Sequence, residues 1–346
     1  CFLMKRLKTM RKKMASNRTD LGKGIFSASA ISTIEQCEMK AHYEYERGYE
    51  TKTISNGLKT GIMMHEAQEM YLNGHNCSAV INSVEEEVKA KGWDEDELLL
   101  PKLRAYIKGY YNAWEVKDTD SICNGKLELL STEESFMFEA KEIRNSVNSF
   151  VGQMDAVFMD HEKDCIVLME HKNVSGKDCQ DPASIFWQSL IMNNQLTIYT
   201  TYLEQKYNKP VYVWYDVVLT SPMMKPKIID RKTKERESIE QFEERITEVY
   251  MEEGLCHSYH GNRYIRKMIP TMSGIREQRM REIAVLAERG TRFYHVEQPT
   301  RNTQSCRNYG GCPFFQACVG NERLEESSSF QLKEHFRPKD TNDIPF

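Results

Sequence analysis

Two apolar segments in the middle of the chain are separated by a polar turn, and this pattern constrains the fold more than any other feature. Residues 151–158 and 165–169 are largely apolar, whereas 160–164 are polar. Short apolar runs bounded by turn residues predict strands inside a sheet. Two further strand patterns lie at 127–139 and 211–219, and a long helix pattern precedes the second of them. The order of these strands and helices predicts an α/β fold with a mixed central sheet flanked by helices.

Charged residues occupy the ends of these central strands. Asp155 lies near the end of one strand, and Glu170 ends the next. Lys172 follows two residues later, so it shares a strand face with Glu170. His171 points to the other face, but its carbonyl remains available as a ligand. A hairpin partner can place Asp155 beside this group, and two carboxylates with a carbonyl suit Mg²⁺ or Mn²⁺.

Such a site has a specific chemistry. The cation can activate a water and stabilise charge on a scissile phosphate. Lys172 can orient that water or support the developing charge. The alternative is that these are ordinary charged residues of a soluble chain. Their position directly after a buried strand favours the site, because burying charge without a partner or a metal is costly.

Several short motifs stand in one order along the chain. They are Ser27-Ala28-Ser29, Gly61-x-x-x-His65, Val151-Gly152-x-x-Asp155, Glu170-x-Lys172 and Gln195-x-x-x-Tyr199. In this order the chain resembles the RecB-like branch of the PD-(D/E)XK nuclease superfamily, and in particular phage and CRISPR-associated exonucleases that carry an iron–sulfur cluster.

The resemblance implies a restriction-endonuclease-like core and further site residues. His65 would be an additional metal ligand, and Gln195 with Tyr199 would line the active site. Without the resemblance, His65 reads as a core or solvent-facing residue, and the helix carrying Gln195 as ordinary and amphipathic. The nuclease domain would span 24–324, with a helical insertion near 73–128 and a charged one near 221–275.

Three cysteines cluster near the end of this domain. Cys306, Cys312 and Cys318 are closely spaced, and Pro313 directly follows a cysteine, as in iron–sulfur segments. In the resembling family, three clustered cysteines and one distant one, here Cys37, hold a [4Fe–4S] cluster. Zinc is the alternative cofactor for four thiolates. Free buried thiols are a third interpretation. Either the cluster or a zinc ion would link the start of the domain to its end.

The bulk properties exclude several classes of function. The 346-residue chain has a net charge of −4 and no run of about 18 apolar residues that would span a membrane. Residues 1–13 are basic but lack the apolar core of a secretory signal, so we expect 1–23 to be a flexible leader. The slightly acidic balance argues against coating nucleic acid by bulk charge. A metal-dependent nuclease remains open, because cations carry positive charge into the site.

The expected function is therefore that of a DNA exonuclease. The resemblance implies a preference for single strands, a role in phage or bacterial replication, recombination or repair, and a cytoplasmic location in the bacterial host cell. The alternatives are a structure-selective endonuclease and a catalytically inactive DNA-binding or assembly module. The intact set of Asp155, Glu170 and Lys172 argues against the inactive module.

The last four residues suggest a protein partner. Asp343, Ile344, Pro345 and Phe346 are similar to the C-terminal tip of bacterial single-stranded-DNA-binding proteins. They end a polar segment, 325–346, that we expect to be a flexible tail. Host proteins that bind this tip are the predicted partners. The alternative is that the last residues dock on their own domain or have no role.

Overall fold

The computed structural model describes residues 19–140, 148–220, 224–253, 263–295 and 298–333. Its helices are α1 (Ala28–Gln36), α2 (Glu38–Ala41), α3 (Asn56–Leu72), α4 (Cys77–Ala90), α5 (Leu99–Cys123), α6 (Ile185–Ser189), α7 (Asn194–Tyr207), α8 (Ile239–Glu253), α9 (Ser273–His295) and α10 (Phe315–Cys318). Its strands are β1 (Ile25–Ser27), β2 (Tyr49–Thr51), β3 (Leu127–Glu139), β4 (Ser149–Asp160), β5 (Cys165–Val174), β6 (Val211–Leu219), β7 (Ile228–Asp230), β8 (Glu235–Arg236), β9 (Tyr264–Ile269) and β10 (Phe330–Leu332).

A six-stranded mixed sheet forms the centre of the fold, as predicted. Strand β3 pairs antiparallel with β4 along nearly all of its length. On the other edge of β4, β1 pairs parallel with residues 149–151 and β5 pairs antiparallel with 156–160. Strand β5 then pairs parallel with β6, and β6 antiparallel with β9. Residues 152–155 of β4 therefore face a fork between β1 and β5.

Helices cover both faces of this sheet because β5 is apolar on both faces. Ile166 and Leu168 pack in a core cluster that includes residues of α1, α7 and α9. Val167 and Met169 alternate with them and pack in a cluster that Leu72 of α3 covers. Helices α3, α4, α5 and α8 share a further apolar core on this second face. Each large aliphatic side chain buried in this way contributes about 1.5–3 kcal/mol.

Side-chain caps fix where the helices near the site begin. Ser27 accepts a hydrogen bond from the Ala30 backbone N–H and so caps the start of α1. The long helix that the sequence predicts before 211–219 is interrupted at Asn193, which has an extended backbone and caps α7 by accepting from the Leu196 N–H. An Asn side chain competes for backbone donors in this way, and it sets the first turn of α7.

The two segments predicted as insertions contribute helices and a strand to the same domain. The segment 73–128 contributes α4 and α5, which pack against α3. The segment 221–275 contributes β9, a strand of the central sheet that its charged sequence conceals. Of the predicted tail, 325–333 are described: β10 pairs with β2 and Phe330 is buried, so the tail prediction begins too early.

Two terminal segments lie outside the described residues. They are 1–18, most of the predicted leader, and 334–346, which include the tip Asp343–Phe346. The tip and its predicted partners therefore stay predictions from the sequence. Within the described ranges, no helix is long and apolar enough to cross a membrane.

Candidate active site

Asp155 lies at the fork where β4 and β5 separate. The last ladder pair of these strands is Ala156 with Met169, one residue before Asp155 and Glu170 would meet. Asp155 Oδ2 accepts a hydrogen bond of 2.7 Å from the His171 backbone N–H. A backbone donor freed by the end of the ladder needs a partner when it is buried, and the Asp155 carboxylate supplies it.

Glu170 and Lys172 project from the same face of β5. Lys172 Nζ and Gln195 Nε2 both donate to Glu170 Oε1, at 2.5 and 2.6 Å. Glu170 is fully buried, and its Oε2 has no hydrogen-bond partner among the described residues. An unsatisfied, buried carboxylate oxygen is costly. A cation beside Oε2 would remove that cost.

Tyr199 follows Gln195 by one turn on α7 and packs against the floor of the site. A Cβ atom built on Gly152 would lie 2.6 Å from Tyr199 Cε1 and 2.8 Å from Phe136 Cε1. The glycine three residues before Asp155 is thus required by close packing. Gly61, in the other glycine motif, differs, because a Cβ there meets no atom within 4 Å.

His65 reaches the fork from α3. Its Nδ1 lies 3.6 Å from Asp155 Oδ1, and a third of its side chain is exposed. Burial opposes protonation of His65, but the close contact with the Asp155 carboxylate raises the pKa of His65. Burial likewise opposes ionisation of Asp155, yet His65 holds the pKa of that carboxyl below its ordinary value. The contact therefore favours protonated His65 beside ionised Asp155 when no cation is present.

Glu170 and Lys172 titrate in opposite directions. Burial and the nearby charge of Asp155 raise the pKa of Glu170 to about 7, against the effect of Lys172. Burial favours neutral Lys172, but the charges of Glu170, Tyr215 and Asp155 and the hydrogen bond to Glu170 together outweigh burial and raise the pKa of the lysine. At neutral pH Lys172 is therefore charged, and Glu170 is poised between its two forms.

Two further carboxylates, Glu133 and Glu69, lie near the fork, and the sequence analysis did not predict them as site residues. Glu133 lies on β3 between Thr132 and Glu134, which pair with Ala156 and Met154, so it is opposite Asp155. Burial and the charge of Asp155 raise the pKa of Glu133 to about 8, and burial raises that of Glu69 on α3. Glu133 has a positive φ of 50°, a backbone conformation that the sequence does not predict for this residue.

A buried polar network lies behind the site, on the other face of the sheet. His171 Nδ1 is 2.9 Å from Asp216 Oδ2, and Asp216 is fully buried. Burial opposes ionisation of Asp216, but the charge of Arg266 and the His171 hydrogen bond hold its pKa well below the ordinary value. Asp216 is thus ionised, and the His171 ring nitrogen facing it carries a proton.

The predicted metal ligands surround one place but are not preassembled around an ion. Among the described residues, no three His, Cys, Asp or Glu side chains form a group that could hold one. Lys172 occupies one oxygen of Glu170, and His65 is engaged by Asp155. Without a cation, Lys172 and His65 balance the charges of the two carboxylates. These contacts would have to rearrange before His65, Asp155, Glu170 and the His171 carbonyl could bind one metal.

The four predicted cysteines line one cavity of about 290 Å³. Cys37 comes from the junction of α1 and α2, and the other three from the segment 306–318. All four are free and partly buried. Asn302 donates its backbone N–H to Cys37 Sγ, and Arg301 Nε donates to Cys318 Sγ. The fold thus brings the four thiols to the lining of one cavity, although no three of the described His, Cys, Asp and Glu side chains are arranged to hold a single ion.

The sequence and the fold of this chain are similar to those of known nucleases. A model of the PD-(D/E)XK nuclease superfamily matches residues 25–318, which include every candidate active-site residue and all four cysteines of the cavity. The crystal structure described as “Putative exonuclease” from Eubacterium rectale is similar at 10% identity and a TM-score of 0.47, over 89% of this chain and 92% of that chain. That likeness is too distant to support an inference about function. No curated protein matches the chain significantly.

Proposed function

This chain belongs to the PD-(D/E)XK nuclease superfamily, and from that premise we propose that it is an active, metal-dependent DNA exonuclease that prefers single strands. One observation carries the proposal. Asp155, Glu170 and Lys172 converge at the fork of β4 and β5, where a buried oxygen of Glu170 lacks a partner among the described residues. An inactive module would have no use for this costly arrangement.

The proposed ligands of the cation are Asp155, Glu170, the carbonyl of His171 and His65. A bound Mg²⁺ or Mn²⁺ would supply positive charge against the charge that develops on the scissile phosphate. Lys172, charged at neutral pH, would hold a phosphate oxygen or the attacking water beside Glu170. Gln195 fixes the Glu170 carboxylate by its hydrogen bond to Oε1, and Tyr199 closes the floor over Gly152.

We also propose that the cysteine cavity holds a [4Fe–4S] cluster that joins the start of the domain to its end. A cavity of about 290 Å³ lined by all four thiols has room for such a cluster. The preference for iron and sulfide over zinc rests on the sequence resemblance. The cluster would be structural. Protein purified without oxygen should contain about four iron atoms per chain. Stoichiometric zinc would overturn this proposal.

The RecB-like branch, a phage origin and a role in replication, recombination or repair belong to the same proposal. They rest on the order of the sequence motifs. The structure-selective endonuclease is the alternative that a substrate test distinguishes.

The decisive experiment compares linear with circular single-stranded DNA in the presence of Mg²⁺ or Mn²⁺. We expect the linear strand, labelled at one end, to be degraded while the circle survives. Rapid cutting of the circle would support an endonuclease. Cleavage of neither substrate, with Asp155→Asn as the inactive reference, would favour the inactive module.

A further inference from the structure

His171 lies on β5 beside Glu170, and its imidazole contacts α3, the helix that carries His65. The residue is 2% exposed, and its Nδ1 lies 2.9 Å from Asp216 Oδ2 on β6 and 3.1 Å from the side-chain amide of Gln68 on α3. The Gln68 atom at this distance is Nε2, so the amide of Gln68 and the carboxylate of Asp216 both face the same ring nitrogen. His171, Gln68 and Asp216 form a buried junction between α3, β5 and β6.

Asp216 is anchored from behind. Tyr110 of α5 donates its hydroxyl to Asp216 Oδ2 at 2.5 Å, and Arg266 of β9 lies 3.4 Å from Oδ1. Arg266 is itself held by Asp118 of α5 at 2.6 Å. The carboxylate that faces the His171 ring is therefore also held by residues of two further elements, α5 and β9.

The backbone of the same residue faces the reaction side. The His171 N–H holds Asp155 Oδ2, and its chain neighbours are Glu170 and Lys172. Gln68 lies one turn after His65 on α3, since residues three apart share a helix face. A shift of the His171 ring would thus displace the strand that carries Glu170, the peptide that holds Asp155, and the alignment of α3 with both.

We propose that the Gln68–His171–Asp216 junction sets the spacing between His65 on α3 and the two carboxylates at the strand fork, so that a divalent cation can bind among them. Gln68 and Asp216 act through His171 and are positioning residues. Groups behind metal ligands typically change metal affinity by about 10- to 100-fold when they are lost. This inference rests on the proposed function, because it concerns the metal site of the nuclease.

A matched pair of substitutions at His171 isolates the side-chain link. Asn places an amide N–H where the His Nδ1–H lies, whereas Leu has the same branching and no donor. Both keep the backbone N–H to Asp155 and the carbonyl. A residue that serves stability alone would change the melting temperature in both variants without separating their metal affinities.

The test measures Mn²⁺ binding to the full chain without DNA, by electron paramagnetic resonance at a temperature where each variant is folded. His171→Leu should weaken binding by about 10- to 100-fold, and His171→Asn by less than about 3-fold. Equal affinities for wild type and His171→Leu, or equal losses in both variants, would overturn the inference.

Two controls keep the outcome interpretable. If His171→Leu does not fold, Gln68→Leu takes its place, and a loss of at least about 5-fold is expected; an unchanged affinity would overturn the inference. Asp155→Asn identifies the site. If wild type binds no Mn²⁺ that depends on Asp155, the proposed nuclease site itself fails, which is distinct from a site that binds Mn²⁺ and ignores His171.

Discussion

The His171 backbone N–H donates to Asp155 Oδ2 at 2.7 Å, across the point where β4 and β5 part. This one bond joins the residue between Glu170 and Lys172 to the carboxylate of the neighbouring strand. It explains how Asp155 and Glu170, which are fifteen residues apart in the chain, form one site. The predictions below follow from this fork and from the cysteine cavity.

Asp155→Asn should abolish metal-dependent cleavage, by at least about 100-fold, and leave the fold intact. The Asn oxygen still accepts from His171, but the negative charge for the cation is lost. Asp160→Asn is the matched control, because Asp160 is a buried carboxylate at the other end of the β4–β5 ladder. Cleavage rates on end-labelled DNA and melting curves check both. Wild-type activity in Asp155→Asn would remove Asp155 from the site.

Glu170→Gln should stabilise the metal-free protein at pH 8 but not at pH 4. The folded-state pKa of Glu170, about 7, lies above its ordinary value of 4.5, so stability falls as pH rises between these values. Full ionisation costs about 3 kcal/mol, which Gln avoids while keeping an oxygen for Lys172 and Gln195. Urea unfolding with a chelator at both pH values measures the difference. Equal effects at the two pH values would contradict the prediction, and exposed Glu128→Gln serves as the control.

Glu133→Gln should flatten the pH dependence of Mn²⁺ binding above pH 7. Protons compete with a cation for carboxylates, so affinity rises with pH until the ligating and neighbouring groups are ionised. Glu170, with a pKa of about 7, accounts for the lower part of the rise, and Glu133, with a pKa of about 8, for the upper part. Titrations at pH 6, 7, 8 and 9 follow the change. A rise above pH 8 that is equal in wild type and Glu133→Gln would exclude the Glu133 carboxylate from the field of the cation.

Cys37→Ser should lower the melting temperature and the bound iron as severely as Cys312→Ser does, because both thiols line one cavity. Cys77→Ser is the control, since Cys77 is a free, partly buried thiol on α4 outside that cavity. Iron analysis and thermal melts on anaerobically purified protein give the comparison. If Cys37→Ser behaves like Cys77→Ser, Cys37 is not a ligand.

Gly152→Ala and Gly61→Ala should change stability in opposite directions. A Cβ at 152 would overlap Tyr199 and Phe136, which costs about 1–3 kcal/mol. A Cβ at 61 lies in open space within α3, where Ala is favoured over Gly by about 0.5–1 kcal/mol. Denaturant unfolding of both variants measures the two signs. A destabilised Gly61→Ala would mean that its motif has a packing role.

The sequence alone was enough to predict the central strands and the sharing of one face by Glu170 and Lys172. Both follow from local periodicity: a strand alternates its faces, and an apolar run between turns belongs inside a sheet. The α/β class and the mixed sheet follow from the order of these elements. The N-cap at Ser27 is equally local, since it needs a side chain and a backbone N–H three residues apart.

Only the tertiary structure placed Glu133 opposite Asp155, Asp216 behind His171, and β9 within the sheet. Glu133 and β9 lie in sequences that look exposed and charged, whereas Asp216 is a single carboxylate within an apolar strand pattern. In all three cases the pairing register and the burial depend on residues far away in the chain. The cavity that collects Cys37 with 306–318 is of the same kind. Local pattern fixes which face a side chain occupies, but the packing of distant elements decides which side chains from different elements meet there.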